Sequence, residues 1–221
     1  MEIVPKVHQF SGMSNFYLVE GDEMMLIDTG NPGNSKKIIN YVKNTLNRNP
    51  EDINTIVLTH HHFDHTGSLG ELKKSTGAKV AVHKDDADYI KEKKKPHEPV
   101  VSKILVKLLK MIYRPQTIEP DILLEDDDEI CGHTVIHTPG HTPGSICLYN
   151  KNNKTIFVGD NLKNGGKKIE GPPGIFTLNI EQANESIKKL EDLDIEVIFT
   201  GHSKPVTAKA SEKLKEYLNK I

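Results

Sequence analysis

The sequence predicts an α/β protein with two β-sheets packed face to face and helices on the outside. Both halves of the chain mix strand-like and helical stretches, which is the first observation behind this reading. The second is that histidine- and aspartate-bearing motifs fall at the ends of apolar runs, where loops from several strands can meet. The third is that no linker-like stretch or fixed-period repeat interrupts the chain, so residues 1–221 are expected to form a single domain.

In order, Phe16–Val19 and Met24–Asp28 read as strands joined by a turn at Glu20-Gly21-Asp22. Asp28-Thr29-Gly30-Asn31-Pro32-Gly33 reads as an irregular loop. Asn34-Ser35 opens a helix with Ile38, Ile39, Val42 and Leu46 on one face. Thr55–Leu58 is the next strand, a short helix through Leu69 and Leu72 ends near Gly77, and Lys79–His83 is another strand. Residues 84–120 break the alternation and read as a helical insertion. Lys84–Lys95 is its charged helix, stopped by Pro96, and an apolar stripe at helical spacing runs from Val100 to Ile112. A second run of strands follows at Ile122–Leu124, Thr134–His137, Ser145–Tyr149 and Thr155–Val158. Residues 159–177, rich in Gly and Pro, read as loop; Ile180–Leu193 is a helix, Val197–Phe199 a strand and Thr207–Asn219 a closing helix.

The charges nearly cancel, at a formal −2, so no global field draws nucleic acid or an anionic membrane. Cys131 and Cys147 are too few for a disulfide framework and sit in strand-like settings, as buried thiols would. The segment Met1-Glu2-Ile3-Val4-Pro5 lacks the apolar core of a signal peptide, and no apolar run reaches membrane length. A cytoplasmic location is the expectation.

The chemistry centres on Thr59-His60-His61-His62-Phe63-Asp64-His65-Thr66-Gly67, placed on a strand-to-helix turn. Neutral imidazole and carboxylate at such close spacing are ordinary ligands for zinc and related cations. Three further polar sites end apolar runs: Thr138-Pro139-Gly140-His141-Thr142, Gly159-Asp160 and Gly201-His202. Each alone is also explained as a turn residue or a helix cap. Their joint occurrence points to one convergent site, with glycines removing side chains where backbones must approach.

With Ile27-Asp28-Thr29-Gly30, these motifs stand in an order that resembles the metallo-β-lactamase-fold hydrolase superfamily, in layout its glyoxalase II-like branch. The resemblance runs from Asn15 to about His202 and implies a four-layer αββα sandwich with a two-metal site at one edge. It implies that His60, His62 and His141 hold one metal, that Asp64, His65 and His202 hold the other, and that Asp160 bridges them. Asp28 would accept a hydrogen bond from a ligand imidazole, and Thr59 would either assist or merely end the strand. His61 occupies a non-ligand position and is expected to face solvent; His137 reads as a strand-end histidine. The implied chemistry is hydrolysis by a water that two divalent cations, zinc foremost but iron or manganese also, acidify to hydroxide; Asp64 orients it.

The implied substrate is a small molecule with an ester-type bond, a thioester first. Full glyoxalase II enzymes carry a further C-terminal domain for glutathione, whereas only Ser203–Ile221 follows His202 here. Lys163 and Lys167 are candidates to meet an anionic group of the substrate, and Tyr89 or Tyr113 would stand beside the metals of a lactonase. The Val100–Ile112 stripe would cover the site, pack on the sandwich, or join two copies in a homodimer. Other readings are a mononuclear-iron persulfide dioxygenase-like oxidoreductase, a phosphodiesterase or nuclease, which the near-neutral charge and the lack of a basic groove or RNA-binding insertion disfavour, and a non-catalytic module stabilised by metal.

Overall fold

The computed structural model describes residues 1–21, 23–95 and 117–221. The Val100–Ile112 stripe, Tyr113 and Asp22 of the first turn therefore lie outside the described residues.

Alternation along the strands explains the architecture. In β4 (Met24–Ile27), β5 (Ile53–Val57) and β6 (Lys79–His83), Leu26, Ile56, Val80 and Val82 point one way, while Met25, Ile27, Val57 and Ala81 point the other. The first set packs with Ile38 and Val42 of α1 (Ser35–Asn44) and Leu69 and Leu72 of α3 (Leu69–Thr76). The second set faces Val135, Leu148, Phe157 and Phe199 of the other half. Those residues belong to β9 (His133–His137), β10 (Ile146–Asn150), β11 (Thr155–Phe157) and β14 (Val197–Phe199). Their outward neighbours Cys147, Ile156 and Ile198 pack with Ile187 of α5 (Ile180–Ile187) and Leu214 of α6 (Ala210–Leu218). Three apolar layers thus separate helix, sheet, sheet and helix, the αββα arrangement.

Among the described residues the first sheet has seven strands, in sequence order. It begins with β1 (Glu2–Val4), β2 (Val7–Ser11) and β3 (Asn15–Val19), which pair antiparallel. From β4 onward the pairing is parallel, ending in β7 (Ile122–Leu124). The second sheet runs β14-β11-β10-β9-β8, with β8 at Glu129–Ile130. Within it β11 and β14 are parallel, with Phe157 beside Phe199. These two rings stack with centroids 4.6 Å apart, and the Tyr17 ring of the first sheet meets both. Such aromatic pairs are each worth about 0.5–1.5 kcal/mol beyond their buried area.

Several boundaries differ from expectation for local reasons. Ile122–Leu124 extends the first sheet, because residue 121 bonds back to Val80 and sets a parallel register against β6. The charged helix stops at Ile90 as α4 (Lys84–Ile90), with Glu92 in the left-handed region just after it. The loop 159–177 contains a small hairpin, β12 (Lys163–Asn164) with β13 (Ile169–Glu170). The helix expected over Ile180–Leu193 ends at Ile187 and tightens into a 3-10 turn. Cys147 is buried and Cys131 only partly so; both thiols are free. Among the described residues no helix is long and apolar enough to cross a membrane.

Candidate metal centre

The site forms where strands of both sheets end on one edge. Leu58 still bonds to Ala81 O, so the chain leaves β5 extended through His62, and α2 (Phe63–Thr66) begins when His62 O accepts from the backbone N–H groups of His65 and Thr66. Extended backbone sends alternate side chains to opposite sides, so His60 and His62 share a direction and His61 opposes them. Helical backbone then brings Asp64 and His65 round to the same centre. On the second sheet, the in-register parallel pair β11 and β14 carries Asp160 and His202 three residues beyond Phe157 and Phe199. Gly201 is required by the close approach: a Cβ there would be driven into Asp160 Oδ1. Backbone bonds stitch the two sheets at this edge, Asn15 N–H to Gly201 O at 2.6 Å and Ile146 N–H to Thr59 O at 3.0 Å.

Two groups of donor atoms result: His60, His62, His141 and Asp160 in one, Asp64, His65 and His202 in the other. Asp160 faces both, with Oδ2 at 3.5 Å from His141 Nε2 and 3.2 Å from His202 Nε2, and Oδ1 at 3.3 Å from His65 Nε2. His62 Nδ1 lies 3.1 Å from His141 Nε2, and Asp64 Oδ2 lies 3.1 Å from His202 Nε2. His60, His65, His141 and Asp160 form a buried floor, while His62, Asp64 and His202 are partly open to solvent.

Partners behind the histidines set their tautomers. Thr59 Oγ1 donates to Asp28 Oδ2 at 2.8 Å and so is left to accept from His60 Nδ1 at 3.0 Å. The His60 Nε2 lone pair then points into the cluster, where that buried atom has no hydrogen-bond partner. His65 Nδ1 donates to Asp28 Oδ2 at 2.7 Å. Thr177 Oγ1 donates to Pro173 O and accepts from His141 Nδ1 at 3.1 Å, turning His141 Nε2 inward. Asp160 Oδ1 is likewise buried without a hydrogen-bond partner. Orphaned lone pairs on imidazole and carboxylate, aimed at a common point, fit a divalent cation.

The electrostatics agree. Burial, reinforced by neighbouring imidazoles, holds His60 well below the usual histidine range and His62 at about 3. Burial also brings His141 to about 4. These three rings are neutral at physiological pH, the state in which imidazole can bind a cation. Burial opposes charge on the other group too, but carboxylates outweigh it: Asp160, Asp28 and Asp64 hold His65 well above the usual range, and hydrogen bonds to Asp160 and Asp64 carry His202 to about 9.

A sequence model described as the metallo-beta-lactamase superfamily matches residues 11–202. The chain belongs to this superfamily. It is 30% identical over 220 residues to the probable metallo-hydrolase YflN of Bacillus subtilis, covering 89% of this chain and 83% of that protein. It is 31% identical over 182 residues to a hydroxyacylglutathione hydrolase of Pelagibacter ubique, covering 77% of this chain and 59% of that protein. The solved structure of TTHA1623 in a di-iron-bound form matches with a TM-score of 0.70 at 24% identity, over 96% of this chain and 99% of that one. The chain is therefore a metallo-hydrolase of this superfamily, with His and Asp clusters suited to divalent metal.

The remaining candidates fall elsewhere. His61, expected to face solvent, is 8% exposed and packed against Asp86 and the ring of Tyr89. Opposing His60 sent it inward because α4 closes over that side. Tyr89 is thus stacked flat on His61, with centroids 4.1 Å apart. Lys163 lies in β12 with Nζ 3.7 Å from Glu170, and Lys167 is exposed on the hairpin turn. A third group, His83, Asp85 and His137, has metal-like spacing. Its nitrogens are committed to the fold: His83 Nδ1 accepts from Asp85 N–H at 3.3 Å and His137 Nε2 meets Pro143 O at 2.9 Å. Thr177 and Asp86 carry no sequence signal, one ending a Gly/Pro-rich stretch and the other resembling any first-turn helix acid.

Proposed function

We propose that this chain is a two-metal hydrolase of ester-type bonds, acting on hydroxyacyl or similar small acyl thioesters. The observation that carries the reading is Asp160, a buried carboxylate facing both donor groups, which makes two clusters into one dinuclear site. His60, His62 and His141 would hold the first cation and Asp64, His65 and His202 the second. The nitrogen-rich set with carboxylates suits zinc, and iron is the alternative that the metal analysis must weigh. Bound there, two cations would acidify a shared water and polarise the substrate carbonyl.

The chain's own residues supply position. Asp28, Thr59 and Thr177 fix which nitrogen of each ring faces the centre, so the rings need no reorientation when the site fills. Asp64 stands on the open side, hydrogen-bonded to His202, where it can orient a water and accept its proton. A thioester asks little more of the protein, because a thiol of pKa about 8.5 leaves as thiolate without a dedicated acid. The hydroxyacylglutathione hydrolase relative supports this substrate class. The test is metal quantification followed by a panel of thioesters, lactones and phosphodiesters. Thioester turnover with two metals per chain is expected. A single redox-active iron, or turnover confined to another bond class, would overturn the proposal.

Metal affinity should depend on pH differently at the two positions. His202 titrates at about 9 in the metal-free protein, so below that pH a cation must displace its proton. Affinity at the second position should rise about tenfold per pH unit for each displaced proton, with the share of His202 levelling off near pH 9 and that of His65, also held protonated by its carboxylates, adding to the slope. His62 and His141, at about 3 and 4, have already lost their protons, so the first position should be flat from pH 6 upward. Competition against a chelator at pH 6, 7 and 8 measures both slopes.

A further inference from the structure

We infer that Asp86, at the start of α4, is a positioning residue that holds the two loops carrying the first cation's three histidines at a fixed separation. The inference rests on the two-metal reading above. The carboxylate is fully buried, yet it lies on a helix that contributes no donor to either cluster. Its Oδ2 accepts from the backbone N–H of His61 at 2.9 Å, and His61 Nδ1 lies 2.8 Å from the same oxygen. That backbone is the link between His60 and His62. The same Oδ2 accepts from Thr142 Oγ1 at 2.8 Å, and Oδ1 accepts from Gly144 N–H at 2.7 Å. Thr142 directly follows His141. One buried charge therefore ties the loop after β5, in the first sheet, to the loop after β9, in the second.

The contact is built on both sides. A Cβ on Gly144 would fall 2.6 Å from the backbone nitrogen of Asp86, so the loop reaches the helix only because residue 144 has no side chain. Tyr89, about one turn further along α4, stacks on the ring of His61, so the same helix contacts this residue through both its backbone and its side chain. The geometry at stake is the 3.1 Å approach of His62 Nδ1 to His141 Nε2, which joins a ligand of one loop to a ligand of the other. Among the described residues no comparable tie links Asp86 to Asp64, His65 or His202, so its influence is selective for one position. The negative carboxylate matters as well as its shape, because charge-assisted bonds to N–H groups are the stronger kind.

The experiment is a stepwise zinc titration of the metal-free 221-residue chain against a chromophoric chelator, on wild type, D86A, D86N and T142V, with circular dichroism to establish folding. Wild type taking up fewer than two zinc ions would sink the dinuclear reading itself and not this inference. Given two sites in wild type, D86A is expected to weaken the first by about 10- to 100-fold, the range for groups that orient metal ligands. The second should change by less than threefold. T142V removes one bond and should shift the first site in the same direction by a smaller factor, while D86N, which keeps one acceptor oxygen, should fall between T142V and D86A. Equal weakening of both sites, or unchanged affinity in folded D86A or T142V, would overturn the inference. Should D86A and D86N fail to fold, T142V decides it alone.

Discussion

On the two-metal reading, Asp160→Asn should leave a site that holds at most one cation. Asn has the same shape but no charge, and its amide replaces one oxygen with a donor. Asp160 now offers Oδ1 toward His65 and Oδ2 toward His141 and His202, at 3.2 to 3.5 Å. An amide can present an acceptor to only one side. Hydrolytic kcat/KM should fall by at least about 100-fold, the upper end of what disturbing a metal ligand's surroundings costs. The metal-free fold should survive, because the backbone of Asp160 is set by Gly159, by Gly201 N–H donating to Gly159 O, and by the β11 and β14 pairing, all of which persist. The signature is thus separable: a melting temperature near that of wild type without metal, and a smaller rise on adding it. Elemental analysis together with thermal melts reads both. Two tightly held equivalents in the variant would refute the bridging role.

Asp28→Ala should be the most damaging change to the fold among residues that hold no cation. The side chain is 2% exposed and accepts from Thr59 N–H, Thr59 Oγ1 and His65 Nδ1. Its removal strands three buried donors, for an expected loss of about 3–5 kcal/mol in urea unfolding, comparable with breaking a buried ion pair. Asp28 also sits at φ +59, a left-handed conformation that Asp and Asn tolerate better than Ala does. Asp28→Asn should therefore recover much of the stability while still leaving His65 without its anionic partner. Metal affinity in Asp28→Asn should remain reduced by about 10-fold or more. Full recovery of both by Asn would show that shape alone matters at this position.

The strands were legible where their apolar residues were continuous. β4, β5, β6 and β10 are buried on both faces, and their runs of Met, Leu, Ile and Val say so without context. β2 was hidden because His8 and Gln9 interrupt its pattern; the structure buries His8 by pairing it with Glu20 and Tyr41. β7 reads with the second run of strands because three residues cannot declare a partner, and only the register with β6 places it in the first sheet. His61 reads as solvent-facing because the motif's alternation fixes its direction but not that α4 lies there.

The residue types and chain order of the donor set are properties of the sequence: His and Asp at strand ends, in a pattern shared with a superfamily that matches residues 11–202. Which nitrogen each ring presents is decided only by tertiary structure, because it depends on Asp28 and Thr177, brought up behind the rings by other segments, and on Thr59, whose hydroxyl Asp28 orients. The same holds for Asp86, an ordinary helix acid in sequence. Its role arises because burial leaves its charge no solvent to turn to, so it gathers the N–H and O–H groups of two loops more than fifty residues apart.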